Sequence, residues 1–349
     1  MVTERKTRSW PAAILHRGVG VVLAIAAAYW LLHGLDFSHL VALLRQARPG
    51  FLALVPAAVL LELWVRAWKW QQVLSATCRV STHWVFRAQM IGYLPGLIVG
   101  FGTSVLARSW LLARRTAQRT STVLATSTVD RLIDTFAFVA FVGLAAVFVI
   151  LPSSQTTIVQ AVRLAGGIIL ILAVLALTVL IHLHQSTSPG WLKWLLCRLP
   201  ARAARTTEKI LEGFSGGLTW PRSPLRRGGI IGTALLIKAI ATTQYLWASL
   251  AFDVRLPAGN YLFIMVFLGA LGFVAFFVRI PGSGLLASLF VLELVGVPKT
   301  QALAITLVVV SSFLLVIATF GGIALLFERV DVQTLRALTP KIKVTKHSA

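Results

Sequence analysis

The fold of this chain is decided by residues 92–134, which read GYLPGLIVGFGTSVLARSWLLARRTAQRTSTVLATSTVDRLID. Near the end of this stretch, Asp130, Arg131 and Asp134 lie within an apolar segment long enough to cross a bilayer. Ionisable side chains at that depth are costly, so they indicate a functional site. A Pro-Gly pair upstream interrupts the helical pattern, and broken helices beside buried charges are typical of binding sites near the bilayer midplane.

Composition extends this interpretation to the whole chain of 349 residues, which is 57% hydrophobic, 13% charged and has a mean hydropathy of +0.83. Its many long apolar runs predict an all-α polytopic membrane protein with about six to eight transmembrane helices. The net charge of +22 comes from Lys and Arg that lie mostly between these runs. That distribution is an orientation signal, and it predicts a bacterial-type inner membrane protein without a nucleic-acid partner.

We expect residues 1–349 to form a single integral membrane domain with both termini in the cytoplasm. Its predicted parts are a first half (18–183), a basic cytoplasmic loop (184–228), a second half (229–327) and a basic tail (328–349). The predicted spans are approximately 19–35, 51–68, 121–151, 164–183, 229–252 and 301–327.

Two further apolar stretches, 88–107 and 261–296, are predicted to be re-entrant hairpins, because full crossings would place basic loops on opposite sides of the membrane. The turns are expected at Pro95 and Gly96 and at Pro281 and Gly282. A full crossing by residues 261–278 is the alternative for the second. The hairpins resemble each other and would enter from opposite faces, as in the inverted repeats of alternating-access carriers.

Asp130 and Asp134 are one helical turn apart and share a face. One explanation is a structural ion cluster that locks helices together. The other is a polar site facing a cavity, where Arg131 holds a phosphate and the carboxylates orient it or accept an amine. Glu62 and Arg66 are spaced for an internal salt bridge, with Arg66 reaching the cytoplasmic interface.

Two further cations are candidates for a cavity. Lys238 lies ten residues into its predicted span without an acidic neighbour in sequence, and Arg279 precedes the second Pro-Gly pair, where it suits an anionic headgroup. The full set of candidate substrate-binding residues is Arg131, Asp130, Asp134, Arg279, Lys238, Glu62 and Arg66. No nucleotide, catalytic or metal motif is present, so we expect no catalytic residue, cofactor or metal and favour a transporter over an enzyme.

Four motifs in order suggest a family: Arg66-Ala67-Trp68-Lys69-Trp70, Leu94-Pro95-Gly96 with Arg108, Asp130-Arg131-Leu132-Ile133-Asp134, and Ile280-Pro281-Gly282-Ser283-Gly284. Together they resemble the transmembrane, flippase-like domain of lysylphosphatidylglycerol synthases. The family's usual Gly-Glu after the first Pro-Gly is missing, its Glu-Arg is Asp130-Arg131, and Ser288 replaces a late acidic residue. The change to Asp130 is conservative, but the loss of the other two acidic positions argues against a cationic, aminoacylated lipid, and without an aminoacyl-transferase domain lipid lysylation is not implied.

The resemblance implies a translocase that moves a lipid or lipid-linked intermediate, with an anionic headgroup, through a polar cavity between the hairpins. Two alternatives stay open. One is an intramembrane transferase acting on a lipid carrier, and the other is a non-catalytic membrane partner of a lipid- or glycan-modifying enzyme.

Overall fold

The computed structural model describes residues 37–99, 101–148, 224–278 and 283–328, with a few helical positions between 160 and 171. In these ranges the chain forms helices without strands, which confirms the all-α prediction. They are α1 (Phe37–Gln46), α2 (Pro49–Leu74), α3 (Thr82–Val99), α4 (Phe101–Thr116), α5 (Thr120–Phe148), α6 (Pro224–Ala251), α7 (Ala258–Val278), α8 (Ser283–Leu294) and α9 (Lys299–Glu328). The predicted span 19–35, nearly all of 164–183, residues 184–223 of the basic loop, the tail after Glu328, and Arg279, Pro281 and Gly282 lie outside the described residues. Residues 224–228, predicted as the end of the basic loop, instead form the first turn of α6.

Three of these helices are long and apolar enough to cross a bilayer, in the stretches Pro49–Leu74, Leu225–Ala251 and Lys299–Phe327. The predicted span 121–151 corresponds to α5, whose bounds agree within three residues. By contrast, α1 occupies a segment that was predicted to be a loop. Its inward-facing Leu40 is buried in the apolar core, which stabilises a helix where the local charge pattern suggested none.

The first Pro-Gly pair does not interrupt its helix. Pro95 lies inside α3, which continues to Val99, and the next helix begins at Phe101. Proline is tolerated inside membrane helices because neighbouring helices and local adjustments compensate for its missing N–H. The two helices pack closely at Gly92, where a methyl group would lie 2.9 Å from Arg108 Cβ. The prediction of a turn at Pro95 and Gly96 is therefore wrong, although the helices on either side do pack together.

The buried apolar side chains form two main clusters, one around each pair of short helices. The first joins α3 and α4 to parts of α2, α5, α6 and α9. The second joins α7 and α8 to α1, the start of α2, the end of α6 and the start of α9. Helices α7 and α8 also pack on each other, on either side of residues 279–282. Because α2, α6 and α9 contribute to both clusters, they connect the α3–α4 pair with the α7–α8 pair.

Candidate functional site

A chain of charged side chains links α2 to α5 and α6 inside the helix bundle. Asp134 lies between two cations of α2: Lys69 Nζ is 2.5 Å from its Oδ1, and Arg66 Nη1 is 3.2 Å from its Oδ2. Arg66 Nη2 also donates to Glu62 Oε1 at 2.6 Å, and Gln244 Nε2 donates to Glu62 Oε2 at 2.7 Å. Positive and negative groups thus alternate between α2 and α5, and the neutral amide of Gln244 connects them to α6, so each charge of this chain has an opposite neighbour. We call Glu62, Arg66, Lys69, Asp130 and Asp134 the ionic network.

Asp130 completes the ionic network at its α4-facing end. Lys69 Nζ lies 3.0 Å from Asp130 Oδ1 and donates to the Asp130 carbonyl oxygen at 3.2 Å. The Oδ1 contact has ion-pair distance but not hydrogen-bond alignment, because the same ammonium group is directed toward Asp134 and the carbonyl. Lys69 and Asp130 are almost completely buried, with side-chain exposures of 0% and 2%. This end of the network therefore depends on a single ammonium group.

Helical geometry explains how the two helices meet. Glu62, Arg66 and Lys69 are spaced i, i+4 and i+7, so they form one stripe along α2. Asp130 and Asp134 form the facing stripe on α5. Glu62 and Asp134 lie near the midpoints of helices of 26 and 29 residues, and hence far from either helix end. Charges at such positions require partners, and the two stripes supply them to each other.

Arg131 does not join the ionic network. Its side chain is exposed at the surface of the helix bundle, and the described residues give it no carboxylate within ion-pair distance. Adjacent residues of a helix point about 100° apart, so burying both aspartates turns Arg131 outward. The sequence-based idea that the aspartates fix Arg131 is therefore wrong, and their partners are on α2 instead. An exposed arginine in an apolar helix must meet water or a lipid headgroup.

Lys238 is the second cation of the candidate set that lacks a carboxylate within 4 Å among the described residues. It lies near the midpoint of α6, a helix of 28 residues, and its Nζ is 5.6 Å from the centre of the Phe138 ring on α5. A cation over an aromatic face is stabilised, but less completely than one paired with a carboxylate. Lys238 thus remains available to an anionic group, and its role in substrate binding stays a prediction. Arg279, the last of the set, lies outside the described residues.

A buried arginine lies beyond the Asp130 end of the ionic network. Arg108, on α4, is 1% exposed; its Nη2 donates to Ser127 Oγ at 2.5 Å, and its guanidinium stacks over the Trp70 ring at 4.5 Å. Its Nε and Nη1 atoms find no acceptor in the described part of the chain. Trp70 is fixed in turn by a 3.3 Å hydrogen bond to Thr126. A buried guanidinium with two unused N–H donors is positioned to bind an oxyanion, which would accept hydrogen bonds from them.

Ser288, on α8, forms a separate polar contact. Its hydroxyl lies 3.0 Å from Tyr245 Oη and 2.9 Å from Thr306 Oγ1, so one buried chain of hydroxyl groups joins α6, α8 and α9. The family resemblance implies an acidic residue at this position. A neutral hydroxyl satisfies the same neighbours without adding a charge.

Sequence reasoning missed three contributors to the site. Lys69 was assigned to a connector because the predicted span ended at Trp68, although α2 continues to Leu74. Its i+3 spacing from Arg66 was the available signal. Arg108 appeared only as part of a family motif, and nothing in the local sequence indicated that Gln244 would reach Glu62, 182 positions away.

These features define a helical integral membrane protein whose bundle contains a buried ionic network. The family comparison agrees with the motifs: residues 18–322 match the lysylphosphatidylglycerol synthase TM region. The match covers most of the chain, and the protein belongs to this family, as the resemblance predicted. No curated protein matched the sequence in a separate comparison.

Proposed function

We propose that this protein moves an amphipathic lipid or lipid-linked intermediate with an anionic headgroup between the two leaflets of a bacterial-type inner membrane. The observation that carries the proposal is the balance of charge around the ionic network. Its three carboxylates and two cations leave one negative charge, whereas Arg108 on α4, Arg131 on α5 and Lys238 on α6 have no carboxylate partner among the described residues. The region as a whole therefore has an excess of two positive charges.

Such an excess is expensive in a membrane unless a ligand offsets it. One cation near the bilayer centre costs about 2.5–3.5 kcal/mol on insertion scales. A phosphate group carries one to two negative charges, and arginine binds it through well-oriented pairs of hydrogen bonds. An anionic headgroup would therefore supply both the charge and the acceptors that Arg108, Arg131 and Lys238 lack. This argues for a phosphate-containing substrate and against a cationic one.

The family relationship supports the lipid part of the proposal, because the family's description concerns a membrane region of lysylphosphatidylglycerol synthases. As proposed, the ionic network holds α2, α5 and α6 in register, while the unpaired cations contact the headgroup. Alternate packing of the two hairpin regions would expose the site to each leaflet in turn. Because the sequence contains no ATP-binding motif, we expect transport to be downhill or coupled to an ion.

The proposal is tested in proteoliposomes that contain fluorescent phosphatidylglycerol or phosphatidylcholine and are treated with dithionite, which destroys only outer-leaflet fluorophores. We expect wild-type protein to increase the bleached fraction for phosphatidylglycerol above that of protein-free vesicles. Arg131→Ala and Lys238→Ala should each reduce this effect, whereas Arg45→Ala, which removes an exposed charge at the end of α1, should not.

Normal translocation by a folded Arg131→Ala, Lys238→Ala double variant would overturn the proposed role of these cations. Translocation of neither lipid by wild-type protein would instead favour the transferase and partner alternatives. Labelling Asp130 from the cytoplasmic side would then distinguish the transferase, since a catalytic carboxylate must be reachable by a water-soluble donor.

A further inference from the structure

A second candidate ligand site lies away from the ionic network, where α2 ends and α3 begins. It combines a polar cavity of about 610 Å³ with an apolar trough of about 580 Å³. The cavity is lined by the loop after α2 and the end of α4, and the trough by α2, α3 and α9. We propose that the two together bind one anionic phospholipid, with its phosphate in the cavity and an acyl chain in the trough.

The cavity is basic and contains no carboxylate. Its lining includes Arg79 and Arg115, both exposed, together with Ser81 and Gln118 as neutral hydrogen-bonding groups. The described residues place no carboxylate within ion-pair distance of either arginine. Two cations on one concave surface repel each other, and a bound phosphate offsets that repulsion while accepting hydrogen bonds from both. The charge of this cavity therefore selects an anion.

Trp84 connects the cavity to the trough. The guanidinium carbon of Arg115 lies 3.9 Å from the centre of the Trp84 ring, and that of Arg87 lies 4.9 Å from it. Arg115 and Trp84 line the cavity, whereas Arg87 lines the trough, so one indole ring contacts an arginine of each space. Tryptophan and arginine at such a boundary are typical of the headgroup level of a bilayer. A molecule occupying both spaces must be polar at one end and apolar at the other.

The trough has the shape required for an acyl chain. It runs along α2 from Leu60 to Trp64 and along α9 from Phe320 to Phe327, and its walls are almost entirely apolar. The seven helical rises from Phe320 to Phe327 extend about 10 Å, roughly a third of the hydrocarbon thickness of a bilayer. That length accommodates the upper part of a chain whose phosphate lies in the cavity. A free phosphate ion would not contact this apolar surface, so the trough favours a lipid as the ligand.

Cys78 provides a direct probe of occupancy, because it lines the same cavity and is half-buried. Burial raises the pKa of its thiol, so its alkylation is slow enough to follow at mildly alkaline pH. In a Cys197→Ser background, Cys78 is the only thiol in the chain. The full-length protein in detergent is alkylated with and without dioleoyl-phosphatidylglycerol, dioleoyl-phosphatidylcholine or inorganic phosphate. The ratio of rates with and without each additive corrects for any change in intrinsic reactivity.

We expect phosphatidylglycerol, but neither phosphatidylcholine nor inorganic phosphate, to slow alkylation of Cys78. Arg115→Ala should raise the lipid concentration needed for half-protection about fivefold, the effect expected for one basic contact at a membrane surface. Arg114→Ala is the matched control, because it removes the same charge from the same helix end but its guanidinium stacks on Trp110 instead. Ala57→Phe, which adds bulk inside the trough, should weaken protection without changing the cavity's charge.

Several outcomes would overturn the proposal. Equal protection by phosphatidylcholine would show that charge does not select the ligand, and equal protection by inorganic phosphate would show that no acyl chain is bound. Equal losses from Arg114→Ala and Arg115→Ala would reduce the effect to general attraction by a basic surface. Absence of protection by any additive would mean that the cavity does not bind an anion. None of these results bears on lipid translocation, which rests on other residues.

Discussion

Replacing Lys69 by methionine tests whether the ionic network determines the stability of the helix bundle. The change keeps a side chain of similar length but removes the ammonium group that lies 3.0 Å from Asp130 and 2.5 Å from Asp134. The net charge of the network falls from −1 to −2, and Asp130 loses its ion-pair partner among the described residues. Removing one partner of a buried ion pair typically costs 3–5 kcal/mol. We therefore expect the free energy of unfolding to fall by about 3 kcal/mol or more.

The size of the stability loss in Lys69→Met distinguishes two explanations of how Lys69 stabilises the bundle. If the contacts of Lys69 counted only as ordinary hydrogen bonds between membrane helices, each would contribute about 0.6 kcal/mol. Its three polar contacts would then account for roughly 2 kcal/mol. A larger loss indicates that an uncompensated carboxylate, rather than missing hydrogen bonds, dominates the effect.

Equilibrium unfolding in mixed detergent micelles containing dodecyl sulfate measures this loss through tryptophan fluorescence, since Trp70 follows Lys69 on α2. Adding Asp130→Asn to Lys69→Met restores the network charge to −1, so the double variant should be at least 1 kcal/mol more stable than the sum of the two single effects predicts. Arg45→Met, an exposed substitution, should stay within about 0.5 kcal/mol of wild type. Strict additivity, or a nearly neutral Lys69→Met, would refute the reasoning.

Three further predictions concern packing and polar contacts. Gly92→Ala should lower the free energy of unfolding by about 1–3 kcal/mol, because the new methyl group would lie 2.9 Å from Arg108 Cβ. The control in the same unfolding assay is Gly322→Ala, whose methyl group would have no neighbouring atom within 4 Å. Ser288→Ala should lower the free energy of unfolding by about 0.6–1.7 kcal/mol, because it breaks the chain of hydroxyl groups. Tyr245→Phe should lower it less, since Ser288 and Thr306 remain hydrogen-bonded to each other. Equal losses for the two variants would contradict this order. Arg108→Met should leave the free energy of unfolding unchanged or raise it by about 1–4 kcal/mol, because it replaces a buried charge without a carboxylate partner among the described residues by an apolar chain. The same variant should reduce lipid translocation. A large destabilisation would show that the arginine is structural.

Local spacing in the sequence predicted those parts of the site that lie on one helix. Glu62 and Arg66 form the expected i,i+4 pair, and Asp130 and Asp134 share the expected face. The same helical geometry, applied strictly, also turns Arg131 away from that face, so its separation from the aspartates was predictable.

Contacts between distant segments could not be predicted in the same way. Hydropathy ended the second span at Trp68 because Lys69 is charged, and only the partners on α5 explain why it is buried. Likewise, Pro95 suggested a turn from its backbone chemistry alone, whereas packing of α3 against α4 and α9 keeps that segment helical. In both cases tertiary contacts outweigh a local preference worth only a few kcal/mol.

Some cations of the bundle have carboxylate partners and others have none among the described residues. Under the proposed function, this difference suggests how binding of the lipid headgroup would be coupled to the conformational change of the protein. The paired cations of α2 hold the carboxylates of α5, whereas Arg108, Arg131 and Lys238 leave an excess of two positive charges when no ligand is bound. Moving that excess through the bilayer centre is unfavourable, and a phosphate-bearing headgroup with one or two negative charges offsets half of it or all of it. The loaded protein would then change its packing more readily than the empty one. Lys238→Met, which lowers the excess to one, should therefore reduce the preference for phosphatidylglycerol over phosphatidylcholine in the dithionite assay, and an unchanged preference would separate charge balance from transport.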